Sequence, residues 1–193
     1  MLFRLLYFIP YVIATVVSAA IWRQILSPTS GLAPALAGLG IPWLEDVNFL
    51  GDGRLALGAV AFINNWQWWG FLVVIFLAAM QSIEPSLYEA AQMDGAGSWR
   101  EFWHITLPSI RPTFMFLSLM TVIWSFLVFD YIYILTQGGP AGATDVLSTV
   151  MYRAAFSEQQ AGYASAIGVI LALISAATVG GYLYLRRRLR WEI

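Results

Sequence analysis

Residues Gln81 to Pro112 read QSIEPSLYEAAQMDGAGSWREFWHITLPSIRP, a polar stretch set between two long apolar runs. Pro85 suits the first turn of a helix, where its missing N–H would have no partner in any case. Glu84, just before it, puts negative charge at the positive end of the helix dipole. Helix formers continue through Leu87, Glu89, Ala90, Ala91 and Met93, and Asp94-Gly95 ends the run with the residue best suited to a left-handed C-terminus. Ser98 with Glu101 three residues on reads as a capping box. It opens a second helix carrying Trp99, Phe102, Trp103 and Ile105, which stops at Leu107 before Pro108. The stretch is therefore expected to be two short helices hinged at Asp94-Gly95-Ala96-Gly97. Helices of about nine or ten residues are marginal in water on their own. Leu87, Ala90, Ala91 and Asp94 share one face, so the pair needs either the chain's own spans or a socket on another protein.

Outward from this island the chain is built for lipid. Of its 193 residues 60 % are apolar, 16 % aromatic and only 11 % charged, too apolar for a soluble domain. Four segments are long enough to cross a bilayer, which takes about 20 helical residues: Leu5–Leu26, Leu55–Met80, Thr113–Thr136 and Ala161–Leu185. The first lacks a signal peptide's charged start and cleavage pattern. The expected fold is all-α: a polytopic transmembrane helical bundle of about four spans, with the island as a loop between the second and third. Every basic residue is arginine. Arg4, Arg100, Arg111 and the terminal Arg186, Arg187, Arg188 and Arg190 fall on one side, while Arg23, Arg54 and Arg153 lie toward the other. The positive-inside rule then makes both termini and the island cytoplasmic. The terminal cluster reads as a topology anchor against anionic membrane lipid.

The island's wording resembles the EAA loop of ABC-transporter permeases, the membrane subunits of binding-protein-dependent importers. The residues that carry the resemblance are Glu89-Ala90-Ala91, Asp94-Gly95-Ala96, Phe102, Ile105-Thr106-Leu107-Pro108 and Pro112. The resemblance implies that residues 81–112 form a cytoplasmic coupling loop seated in a cleft of a separate ATPase subunit, with Glu89, Ala90, Ala91, Asp94, Gly95 and Ala96 making the contact. It implies further partners: a second permease subunit and an extracytoplasmic solute-binding protein. It places the chain in the cytoplasmic (inner) membrane of a prokaryote. ATP and Mg would be bound by the partner, so this chain itself would carry no cofactor. Residues 1–193 read as one permease domain, N-terminally short, because such permeases usually have six spans and this chain looks like the final four.

The solute is addressed by spans two and three. Asn64, Asn65 and Gln67 interleave with Trp66, Trp68 and Trp69, and polar groups at membrane depth normally face the bundle interior or a water-filled path. Amides beside flat indoles suit sugars, whose hydroxyls bond to the amides while C–H faces stack on the rings; an interfacial aromatic belt with interhelical amide bonds is the plainer reading. Asp130, near the outer end of span three, is the one strong candidate for a functional intramembrane acid, although so near the outer surface it reads at least as readily as an ordinary interfacial carboxylate. The possible substrate path is Asn64, Asn65, Gln67, Trp68 and Asp130. The segment LTQGGPAGATDVLSTVMYRAAF resembles the post-helix segment of sugar-type permeases, with Gln137 where that pattern has a glycine. The implied function is ATP-driven import of a sugar or related polyol; the alternatives are import of another small solute, or an ion-coupled secondary transporter relying on Asp130.

Other features read as structural. Pro10 marks a kink in span one, and Tyr7, Tyr11, Thr15 and Ser18 form one helix-packing face. Leu32–Leu39 forms a short surface helix in a Gly- and Pro-rich outer loop with an acidic, aromatic rim at Trp43, Glu45, Asp46 and Asp52. Ala164, Gly168, Ala172, Ala176 and Gly180 make a small-residue packing ridge on span four. The absence of cysteine excludes disulfides and thiolate sites, the net charge of −1 gives no footing for nucleic acid, and no phosphate-binding glycine loop is present. No catalytic residue or metal ligand is assigned. His104, the lone histidine, has only Glu89, Asp94 and Glu101 near it, too little for a membrane-embedded enzyme.

Overall fold

Within a bilayer no water bonds to the backbone, so apolar runs must close their hydrogen bonds internally. The computed structural model describes residues 2–188. Its helices are α1 (Leu2–Val12), α2 (Thr15–Ile25), α3 (Leu32–Gly38), α4 (Ala56–Gln81), α5 (Pro85–Met93), α6 (Ser98–Glu101), α7 (Leu107–Ser109), α8 (Arg111–Leu127), α9 (Asp130–Leu135), α10 (Leu147–Tyr152) and α11 (Ala161–Arg188). No strand occurs among the described residues. Ala56–Gln81, Arg111–Leu135 and Ala161–Leu185 are long and apolar enough to cross a membrane, and Leu6–Val12 with Thr15–Ile25 adds a fourth if that bent pair is one span. Arg190 lies outside the described residues, as do the side chains of Arg4, Arg186, Arg187 and Arg188.

Spans two and four match the expectation within a residue or a few; spans one and three do not run as single helices. Span one passes straight through Pro10 and breaks after Val12, where α1 and α2 meet at 110°. Five of the six residues from Val12 to Val17 are β-branched, a run that weakens helix locally, and Ala14 adopts an extended ψ of 135°. The carbonyl freed at the break is not left bare: Gln67 Nε2 donates to Ile13 O at 2.7 Å. Tyr7 and Tyr11 therefore sit on a different helix from Thr15 and Ser18, and the four do not form one face. Span three breaks at Val128, whose ψ is 128°, and Ser148 donates its hydroxyl to the Val128 carbonyl. Asp130 thus opens α9 instead of lying within a continuous span.

The buried core joins α2, α4 and α9 through Ala19, Val60, Ile63, Tyr131, Ile132 and Leu135, with Trp22 and Val128 packed on it. Lipid tails are as apolar as these side chains, so close contact, not release from water, holds such helices together. Gly70 shows how close. A Cβ there would lie 2.5 Å from the Tyr7 carbonyl oxygen and 3.2 Å from Tyr11 Cβ. On α11 the small-residue ridge divides: Ala164 is buried and Gly168 faces Met151, whereas Ala172, Ala176 and Gly180 are exposed.

Between α9 and α10 the chain makes a tightly bonded loop. Thr144, fully buried, bonds to Gly139 O and to the Thr136 hydroxyl, both at 2.7 Å. Arg153 donates to Asp145 at 2.6 Å across the base of the loop, and that carboxylate raises the guanidinium's pKa. Gln137, standing where the resembled pattern has glycine, adopts a φ of +52°.

Candidate functional site

The two helix breaks face one cavity of about 660 Å³. Its wall takes in Ile13 and Thr15 at the first break, Val128 and Phe129 at the second, and polar residues of α4 and α8 between them. All five residues proposed for the substrate path, Asn64, Asn65, Gln67, Trp68 and Asp130, line it.

They differ in how firmly the protein holds them. Gln67 is engaged at both ends of its amide: Nε2 donates to Ile13 O, and Oε1 lies 2.8 Å from the Tyr131 hydroxyl. Ser18 Oγ is also 2.8 Å from that hydroxyl. An amide oxygen can only accept, so the Tyr131 proton goes to Gln67 and the phenolic lone pairs remain for the Ser18 hydroxyl. Trp68 is oriented by its Nε1–H, which donates to Thr121 Oγ1 at 3.0 Å, and Thr121 in turn donates to Leu117 O at 2.8 Å. Its ring centroid lies 4.3 Å from that of Trp124 and 4.9 Å from that of Phe71. The result is a fixed aromatic wall. Asn64, Asn65 and Asp130 make no side-chain hydrogen bond to any described residue, and Asn65 and Asp130 are exposed. The cavity therefore presents free amide and carboxylate groups beside a rigid indole surface, with Asn64 one helical turn before Trp68 on α4.

The sequence pattern did not single out Thr121 or Tyr131, and it assigned Tyr11 and Thr15 to helix packing. Their place in the wall depends on the two breaks, which bring together residues more than 100 positions apart. An aromatic or hydroxyl residue next to a β-branched run was the available signal.

The second candidate surface is the island. Helix α5 runs from Pro85 to Met93 as expected, and Gly95, at φ +75°, closes it with Ala96 N–H donating to Ala91 O at 2.9 Å. That is a six-to-one capping bond requiring a left-handed residue. Glu89, Ala90, Asp94 and Gly95 are exposed and Ala91 and Ala96 half-buried. Met93 is 89 % exposed and Trp99 75 %, so the island's apolar groups are not spent on the chain's own spans. The capping box does not form: Gly97 caps α6, Ser98 is already helical, and no side-chain cap bond is made. Nor does the helix stop at Leu107. A π-helical turn over Phe102–Thr106 leads into α7, which contains Pro108. Pro108 has no N–H to return to His104 O, and the widened turn absorbs the missing bond. His104 Nδ1 lies 3.0 Å from Arg100 O, a local helix contact. No cluster of three or more potential metal ligands occurs among the described residues.

Comparison with known proteins agrees with this arrangement. Residues 1–191 match the family described as binding-protein-dependent transport system inner membrane component. The probable ABC transporter permease protein YurN of Bacillus subtilis is 39 % identical over 176 residues, covering 91 % of this chain and 60 % of YurN. The diacetylchitobiose uptake system permease protein NgcF of Streptomyces coelicolor is 37 % identical over 175 residues, covering 90 % of this chain and 50 % of NgcF. A crystal structure of a bacterial ABC transporter involved in the import of the acidic polysaccharide alginate is similar, with a TM-score of 0.87 at 32 % identity over 96 % of this chain and 64 % of that one. The bacterial alginate transporter in complex with an alginate pentasaccharide-bound periplasmic protein gives the same values. The chain thus spans 50 % to 64 % of the length of these relatives.

Proposed function

The chain belongs to the family of binding-protein-dependent transport system inner-membrane components, and we propose that it is a permease subunit of an ATP-driven importer for a sugar or related polyol. The observation that carries this reading is the cavity at the two helix breaks, where unpartnered amides of Asn64 and Asn65 line the same wall as the fixed indole of Trp68. Hydroxyls of a saccharide bond to the former and its C–H faces stack on the latter. Broken helices bordering a polar cavity are the usual form of a membrane solute site.

In this reading the island faces the cytoplasm, together with both termini, and α5 seats in a cleft of an ATPase subunit through Glu89, Ala90, Ala91, Asp94, Gly95 and Ala96. The ATPase binds ATP and Mg and closes on them. It prefers one of two permease conformations, and that difference in affinity shifts the equilibrium between inward- and outward-open states. A second permease subunit completes the path, and a solute-binding protein delivers the cargo from outside. The exposed Met93 and Trp99 support the need for a partner at the island.

The test is recovery of the tagged chain from its native membrane in mild detergent, with partners identified by mass spectrometry, beside a Glu89→Ala/Gly95→Leu variant. An ATPase subunit is expected with the wild type and not with the variant. Its absence from both samples, with the chain intact, overturns the reading.

A further inference from the structure

The cavity is one-sided in charge. Among the described residues Asp130 is the one carboxylate in its wall, and no arginine, lysine or histidine lines it. No cation from the helices packed against α9 enters the wall: α4 carries no charged residue, and Arg23 of α2, its charge intact, donates to the Ile134 carbonyl outside the cavity lining. Arg153 is paired with Asp145, and Arg54, in the loop before α4, does not line the cavity. Asp130 stands in the first turn of α9, where the helix N-terminus offsets its charge only in part. What remains is a net negative charge at Asp130, together with the indoles of Trp68 and Trp124, whose faces also favour cations.

We propose that this cavity is a charge filter, with Asp130 the specificity-determining residue: it admits neutral saccharides and amino sugars and rejects those bearing carboxylate or phosphate. The proposal rests on the reading of the cavity as the solute path and names the class of solute for it. A carboxylate-bearing sugar brought within several ångströms of Asp130 meets like-charge repulsion that no cation in the wall relieves, a disadvantage of roughly tenfold against its neutral counterpart.

The chain contains no cysteine, so single reporter thiols can be placed without background. In native-membrane vesicles, N65C puts a thiol in the cavity wall and S157C puts one on an exposed turn outside it. Each is reacted with a cationic and an anionic methanethiosulfonate of similar size, and the ratio of the two rates reports the local potential. The expected result is a ratio at N65C that favours the cation by roughly tenfold over the ratio at S157C, falling toward the S157C value in D130N and retained in D130E. An N65C ratio equal to that at S157C, in an otherwise wild-type chain, overturns the proposal without any Asp130 variant having to fold. So does a ratio in D130N unchanged from that of its parent.

A second readout separates this proposal from the path reading. Glucose, glucosamine and glucuronate are compared as protectants of N65C against both reagents. Protection by glucose and glucosamine but not glucuronate supports both readings. No protection by any sugar, with the thiol-reaction ratio intact, overturns the path reading and leaves a negatively charged cavity. Equal protection by all three overturns the filter and leaves the path.

Discussion

The hydroxyl of Tyr131 lies 2.8 Å from the side-chain oxygen of Gln67, and through that one amide it is tied to the Ile13 carbonyl at the break between α1 and α2. Tyr131 itself belongs to α9, beyond the other break, and its ring is buried in the core. One side chain of an unbroken helix therefore holds the ends of two broken spans in register.

Replacing Gln67 with leucine leaves the Ile13 carbonyl without its partner and the Tyr131 phenol with Ser18 alone. The expected cost is about 1–3 kcal/mol, since an abandoned polar group loses more than the net worth of its bond. Tyr131→Phe removes only the hydroxyl and is expected to cost about 1 kcal/mol or less, in line with membrane hydrogen bonds generally. Thermal midpoints of the purified variants in one detergent rank the two; equal shifts would contradict the network.

Gly70 and Gly168 are both helical glycines facing a neighbour, yet their substitution should differ. A Cβ at Gly70 meets the Tyr7 carbonyl oxygen at 2.5 Å, a backbone atom that cannot turn aside. At Gly168 it meets only Met151 Sδ at 3.5 Å, an ordinary contact. Gly70→Ala is expected to lower the thermal midpoint, and Gly168→Ala to leave it unchanged or raise it slightly, because alanine favours helix by roughly 1 kcal/mol.

In the loop after α9 the direction reverses for adjacent residues. Gln137 has a φ of +52°, a conformation costing a residue with a side chain about 1–2 kcal/mol. Gln137→Gly relieves this against an entropic loss of about 0.5–1 kcal/mol, so a modest rise in stability is expected. Gly138→Ala is expected to be harmful, because the new Cβ would lie 2.1 Å from Asp145 Oδ1 and disturb the pair with Arg153. Stability of each variant, read in the same assay, checks both signs.

At Gly95 the chain itself leaves open space: no atom lies within 4 Å of the place a Cβ would take, but φ is +75°. Asparagine tolerates that backbone and leucine does not. Gly95→Asn is expected to keep ATPase recovery within a few-fold of wild type, and Gly95→Leu to lose most of it while still inserting in the membrane. Equal recovery from both would remove Gly95 from the coupling surface.

Much of this arrangement is legible in residue order, and the rest has a common reason for being hidden. Spans two and four follow from apolar length, and α5 from Pro85 at its start and Gly95 at its end, all local signals. The breaks in spans one and three are stabilised from a distance. Gln67 serves Ile13, 54 residues away, and Ser148 serves Val128, 20 residues away. A window centred on either break is dominated by the apolar run, whose length argues for one continuous helix over weaker signals such as the β-branched stretch at Val12–Val17 and Asp130 beside Val128. The capping box misled for the opposite reason: Ser98 and Glu101 form the right local pattern, but Gly97 takes the capping position one residue earlier. The five proposed path residues were read from amides, an indole and a carboxylate at membrane depth, and they line one cavity, whereas Thr121 and Tyr131 gain their place in its wall only from helix packing.

A carbonyl locked inside a helix can be approached by a solute only by tearing a backbone bond. The carbonyls of Ile13 and Val128 are held instead by single side chains, Gln67 and Ser148. A sugar hydroxyl arriving at the first break can take over the bond to Ile13 while the displaced amide turns to another hydroxyl, and the number of hydrogen bonds is conserved throughout. On the proposed path, traffic through the cavity would proceed by exchange of partners at constant count, with the helices on either side left whole.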